Sequence, residues 1–134
     1  MPRFEPQDER TLSALLGQHP GVELAILFGS VATGQAQWQS DIDLAISLGR
    51  PATAQERIEL IEQIAMATGR PVDLIDLTQV GEPLLGQILA RGQRVIGSDE
   101  AYARLLSRHL IEQADFLPYR NRILEERRRA WIGN

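Results

Sequence analysis

Asp41 and Asp43 stand one residue apart in the run Ser40-Asp-Ile-Asp-Leu-Ala-Ile46. Read as a strand, alternate side chains share a face, so the two carboxylates point the same way with Cα atoms about 6.5 Å apart. Side chains so placed can converge on one divalent ion, or on a pair about 4 Å apart as two-metal phosphoryl chemistry requires. Hard oxygen donors select Mg²⁺, or Mn²⁺, over softer metals. Two like charges that close are costly unless a cation neutralises them. Upstream, Leu27-Phe-Gly-Ser30 reads as a strand end. There Gly29 permits close approach of backbone to a ligand, and the Ser30 hydroxyl with free loop amides can hold phosphate oxygens. Downstream, if Val72 and Leu74 face the helices, alternation puts Asp73 on the face of Asp41 and Asp43. Asp73 is therefore the candidate third carboxylate, placed to ligate a metal and to orient or deprotonate an attacking hydroxyl. Asp76 points the other way or sits at the strand end. A Gly-Ser turn or an Asp-x-Asp pair alone is commonplace; their conjunction with an in-phase Asp on a later strand is not.

The composition narrows the chemistry to carboxylates, hydroxyls, arginines and the metals they recruit. The 134 residues contain no cysteine, which removes thiolate nucleophiles and sulfur-based metal sites. All 14 basic residues are arginine, so there is no Schiff-base lysine and no P-loop lysine. The two histidines, His19 and His109, lie far apart. With 43% hydrophobic and 24% charged residues the chain has the make-up of one soluble globular domain. The net charge of −4 is unevenly spread: residues 104–134 carry +3 and residues 1–103 carry −7. An acidic body argues against general nucleic-acid binding, while the basic tail suits an acidic partner or RNA. No apolar run approaches a bilayer span, and the start MPRFEPQDER lacks the apolar core of a signal peptide, so a cytoplasmic protein without membrane contact is expected.

The elements that must position these residues follow from periodicity. A helix is expected over 6–18, a strand from Val22 to Phe28, and a second strand from Asp41 to Ile46. Thr53-Ala-Gln-Glu56 has the form of a capping box, opening a helix with Ile58, Ile61, Ile64 and Ala65 that ends at Gly69. Val72–Leu77 is the third strand, Leu84–Leu89 a short helix closed by Gly92, and Arg94–Ile96 a fourth strand. From Ser98 the chain is helical, with Tyr102, Leu105, Leu106, Leu110 and Leu117 as its apolar stripe, and Pro118 is expected to kink or restart it. The result is one mixed α/β (α+β) domain over residues 1–134, a small mixed sheet covered by helices. Its core spans about 20–97 and a long helical tail about 98–132.

The arrangement Gly29-Ser30, ten residues, Asp41-x-Asp43 and then Asp73 resembles the nucleotidyltransferase superfamily with a DNA polymerase β-like palm, over residues 22–77. The size leaves no room for the accessory domains of polymerases, so the chain resembles a minimal nucleotidyltransferase. The tail, Ala114-Asp-Phe-Leu-Pro-Tyr119 followed by an arginine-rich helix, is similar to that of MntA antitoxins of HEPN–MNT toxin–antitoxin pairs. The resemblance implies an adenylyltransferase that uses ATP and Mg²⁺ to place AMP on a tyrosine of a HEPN ribonuclease partner. In that reading Gly29 and Ser30 hold the triphosphate, Asp41 and Asp43 bind two metals, and Asp73 completes the site. Many relatives carry an arginine just after the serine, where this chain has Val31-Ala-Thr-Gly34; Arg50 and Arg57 are candidates to replace it. Two alternatives stand beside this reading: an antitoxin that acts by binding and occlusion, and a small-molecule nucleotidyltransferase of aminoglycoside type. Trp38 can stack on a base or anchor its own loop. His109 reads as packing or surface, and Arg127–Arg129 as a solvated helix end or a partner contact.

Overall fold

The computed structural model describes residues 6–29 and 41–132. Four strands and four helices are described in the order α1 (Pro6–Gln18), β1 (Leu24–Phe28), β2 (Ile42–Ser47), α2 (Ala54–Thr68), β3 (Val72–Asp76), α3 (Leu84–Arg91), β4 (Gln93–Gly97) and α4 (Asp99–Ile132). The strands form one mixed sheet in the order β3-β2-β1-β4. β1 is antiparallel to both β2 and β4, and β2 is parallel to β3, the two being joined through α2. The mixed α/β fold read from the sequence is the fold observed.

Both faces of the sheet are covered, which explains why β1 is apolar at every position rather than alternating. On one face Ala25, Leu27, Ile42, Leu44, Ile46 and Leu74 pack against Leu12 and Leu16 of α1 and Leu60 and Ile64 of α2. On the other, Leu24, Ile26 and Ala45 pack against Leu85 and Ile88 of α3 and Leu105 of α4. Truncating any of the fully buried leucines to alanine is worth about 2–5 kcal/mol. α2 turns a slightly different face inward than expected: Leu60 and Ile64 are buried, whereas Ile58 is half exposed.

The ends of α2 follow the sequence signals. Thr53 accepts from the Glu56 amide, the Glu56 carboxylate accepts from the Thr53 amide, and Gly69 closes the helix in the left-handed conformation at φ 70°. The tail departs from expectation at Pro118, because α4 runs unbroken from Asp99 to Ile132. A proline inside a helix removes one amide donor and crowds the carbonyl a turn earlier, which is why a break is expected there. Ala101 and Leu105 in the first part of α4 are buried against the body, whereas Leu106 and Leu110 of the expected stripe are exposed; the Leu117 side chain lies outside the described residues. No helix among the described residues is long and apolar enough to cross a membrane.

Candidate active site

Three strand ends meet at one edge of the sheet. β1 finishes at Phe28, which pairs with Asp43 near the start of β2, and Asp43 in turn pairs with Asp73 near the start of β3. Paired residues on neighbouring strands project to the same face, so the two carboxylates stand side by side on strands about 4.8 Å apart. The face is that of Ala45, and Leu44 and Leu74 point to the opposite one. The alternation predicted for Asp73 is thus the alternation found. Asp41 immediately precedes β2 and is exposed, as is Asp73; Asp43 is partly buried.

Gly29 closes this cluster from above. Its φ is 74°, and a Cβ built on it would overlap the Asp43 carboxylate, so glycine is required here both by conformation and by space. Ser30, the second residue expected to hold phosphate, and the loop from Val31 to Ser40 with Trp38 lie outside the described residues.

The electrostatics of the cluster run in one direction. The Asp43 carboxyl is raised above the usual aspartate value, first by burial, then by the neighbouring charge of Asp73 and then by that of Asp41. Each contribution penalises the anion, which is the condition under which a hard cation is bound. Oxygen donors on Asp43 and Asp73 with Asp41 nearby fit Mg²⁺ or Mn²⁺ by chemistry. Among the described residues no three His, Asp or Glu side chains are gathered around a common point. The preformed part is the Asp43–Asp73 pair.

Asp76, at the end of β3, is buried for another purpose. Its carboxylate accepts from the Ala52 amide at 2.8 Å and from the Thr78 amide and hydroxyl at 2.9 and 2.7 Å. Burial pushes its carboxyl up, but these hydrogen bonds and the Arg57 charge outweigh burial and leave it below the usual value. It ties the loop before α2 to the sheet. The two arginines considered as triphosphate ligands are engaged elsewhere. Arg50 forms a two-pronged pair with Glu56 at 2.8 and 2.7 Å, and Arg57 donates to the Leu74 carbonyl at 3.0 Å. The Arg50 hydrogen bond is the main reason the Glu56 carboxyl is lowered to about 2.

Two features escaped the sequence reading. Arg70, only 5% exposed, is buried in the turn that enters β3, three residues before Asp73; its place between Gly69 and Pro71 was the available signal. His109 is not an isolated packing residue: its Nδ1 lies 2.5 Å from Oε1 of the buried Glu82. A pair separated by 27 positions leaves no mark in local periodicity.

The chain was compared with known proteins. The family described as "Polymerase beta, Nucleotidyltransferase" matches residues 10–101, from within α1 to the first turn of α4. No curated protein sequence matches significantly. Among solved structures, a chain of a toxin–antitoxin complex with AMP-PNP is 25% identical, with a TM-score of 0.77, over 90% of this chain and 98% of that one. A chain of the toxin–antitoxin pair MntA–HepT is 23% identical over 93% and 100%, with a TM-score of 0.73. A chain of the tri-AMPylated Shewanella oneidensis HEPN toxin in complex with MNT antitoxin is 23% identical over 92% and 98%, also with a TM-score of 0.73. With Gly29, Asp43 and Asp73 brought together at one edge of a β3-β2-β1-β4 sheet, and more than half its length matched by the family, this chain belongs to the polymerase β-type nucleotidyltransferases.

Proposed function

We propose that this chain is an antitoxin that transfers AMP from ATP to a tyrosine hydroxyl of a HEPN ribonuclease toxin and so neutralises it. The observation that carries the reading is the Asp43–Asp73 register beneath Gly29, in a chain of this family. The nucleotide and the acceptor are taken from the neighbours, one of which holds AMP-PNP and another an AMPylated HEPN toxin.

In this reading the Gly29 backbone, free of a Cβ, lies along the triphosphate, and Ser30 donates its hydroxyl to a phosphate oxygen. Asp41 and Asp43 hold two divalent cations, Mg²⁺ or Mn²⁺, with Asp73 as the third carboxylate. When bound, such ions neutralise the triphosphate and favour the ionised acceptor hydroxyl. Asp73 stands beside that hydroxyl and takes its proton, which is needed because a tyrosine of pKa about 10 is a poor nucleophile at neutral pH. The phenolic oxygen then bonds to the α-phosphorus. The bond from that phosphorus to the bridging oxygen breaks, and its electron pair leaves with pyrophosphate. The product carries a bulky anion on the toxin, which repels RNA from a ribonuclease surface.

The test is intact-mass spectrometry of a HEPN toxin co-expressed with this chain, incubated with the chain, Mg²⁺ and each of the four NTPs. Mass gains in AMP steps with ATP are expected. Tight co-purification with no gain under any NTP would replace transfer by occlusion as the antitoxin mechanism.

A further inference from the structure

The tail helix is far longer than the fold requires. Among the described side chains, the ties that hold α4 to the body are concentrated in its first three turns. Ala101 and Leu105 enter the core, Arg94 stacks 4.8 Å from the Tyr102 ring centroid, Arg108 donates to the Leu77 and Val80 carbonyls at 2.6 and 2.7 Å, and His109 meets Glu82. Beyond His109 the helix continues to Ile132, about 35 Å more at standard rise.

That extension carries an apolar face of its own. Leu110 and Leu124 in it are 57% and 51% exposed, and Leu106, one turn before Leu110 in the tied part of the helix, is 39% exposed. Leu110 and Leu124 are about four turns apart, so they share one side of the helix with Leu106. The side is rotated roughly a third of a turn from the seam of Ala101, Leu105 and Arg108 that faces the body. Exposed leucines in register along a solvent-facing helix are the mark of a helix that docks. Residues 110–134 carry five arginines against four acids, and Arg127 and Arg128 are exposed near the end of the helix.

The comparisons point to what covers it. The nucleotidyltransferase family match stops at residue 101, at the first turn of α4. The chains from toxin–antitoxin complexes nevertheless match at least 90% of this chain, and residues beyond 101 are nearly a quarter of it. Their match must therefore run well into α4. The element that separates the complex-forming chains from the bare catalytic domain is the tail.

We infer that the distal part of α4 is a docking arm for the acceptor protein, binding through Leu110 and Leu124 to an apolar groove. The inference rests on the proposed function for the identity of that partner. It makes docking and nucleotidyl transfer separable in this chain, with the arm raising the local concentration of the acceptor hydroxyl at Asp43 and Asp73.

The test uses the full chain and the HEPN toxin of the transfer assay, with affinity measured calorimetrically for the parent and for Leu110→Glu, Leu124→Glu. Both residues are exposed, so the variant is expected to melt as the parent does and to bind ATP equally well. Affinity for the HEPN protein should fall about tenfold or more, with transfer restored at high partner concentration. Parent-like affinity in the variant would overturn the docking arm. So would a parent dimer that the variant dissociates, or RNA binding lost in Arg127→Ala, Arg128→Ala with HEPN binding intact. Should the parent bind through this face yet transfer no nucleotide, the docking arm stands and the transferase reading falls.

Discussion

Asp43 and Asp73 occupy paired positions on adjacent parallel strands, so the two carboxylates project from one face of the sheet with a single strand spacing between them. Such a pair works against the fold: the Asp43 carboxyl is held above its usual range by burial and by the charges of Asp73 and Asp41. A carboxylate pair kept at a cost to stability is a mark of function rather than of structure.

The first prediction is that Asp43→Asn abolishes nucleotidyl transfer while leaving the protein as stable as the parent or more so at pH 7. The sign follows from linkage: a carboxyl whose folded pKa is raised opposes folding when ionised, a penalty absent below pH 3.8 and growing as pH rises through the raised value. The melting difference between variant and parent should therefore vanish in acid. Retained transfer in Asp43→Asn would remove this residue from the site.

Gly29→Ala is expected to lose both stability and activity. The left-handed backbone costs a non-glycine residue about 1–2 kcal/mol, and the added methyl displaces the Asp43 carboxylate on top of that. Urea denaturation measures the first part. A Gly29→Ala protein with parent stability and full transfer would show that this turn neither needs glycine nor meets Asp43.

Much of this site was legible because period-two alternation is a local property. The spacing of Asp41 and Asp43, the parity of Asp73 and the capping box at Thr53–Glu56 each depend on a few neighbouring residues, and each element stands where the periodicity put it. The facing of whole helices is not local. Ile58 has the spacing of a core residue in α2, yet the crossing of α2 over the sheet turns Leu60 and Ile64 inward instead. Leu106 and Leu110 read as core for the same reason and are left outside because α4 turns Leu105, Arg108 and His109 toward the body instead. The continuity of α4 past Pro118 is set by the helix as a whole, which a single proline signal does not report. The Glu82–His109 pair and the buried Arg70 are tertiary facts.

Divalent-ion binding should weaken in acid earlier than it does for ordinary carboxylate sites. Protons compete with the ion at Asp43, whose carboxyl retains its proton to higher pH than a free aspartate. Mn²⁺ affinity measured by titration is expected to begin falling above pH 3.8 as the pH is lowered, and Asp73→Asn should shift that fall toward lower pH by removing a neighbouring charge. An unchanged midpoint in Asp73→Asn would mean the paired carboxylates do not sense one another.

Asp76 makes the opposite prediction from Asp43, although both are aspartates on neighbouring strands. Its hydrogen bonds from Ala52 and Thr78 hold the carboxyl below the usual value, so it stabilises the fold above pH 3.8, and that contribution is lost as pH falls through the lowered value. Asp76→Ala removes an acceptor from the Ala52 and Thr78 amides and should cost about 1.5–3 kcal/mol at neutral pH, with the deficit shrinking in acid. Nucleotidyl transfer per folded molecule should stay near the parent level, because Asp76 anchors the loop before α2 and faces away from Asp43 and Asp73. Chemical denaturation at pH 7 and pH 3, paired with a transfer assay below the melting temperature, separates the two effects. Loss of transfer in a well-folded Asp76→Ala protein would move Asp76 from the scaffold into the site.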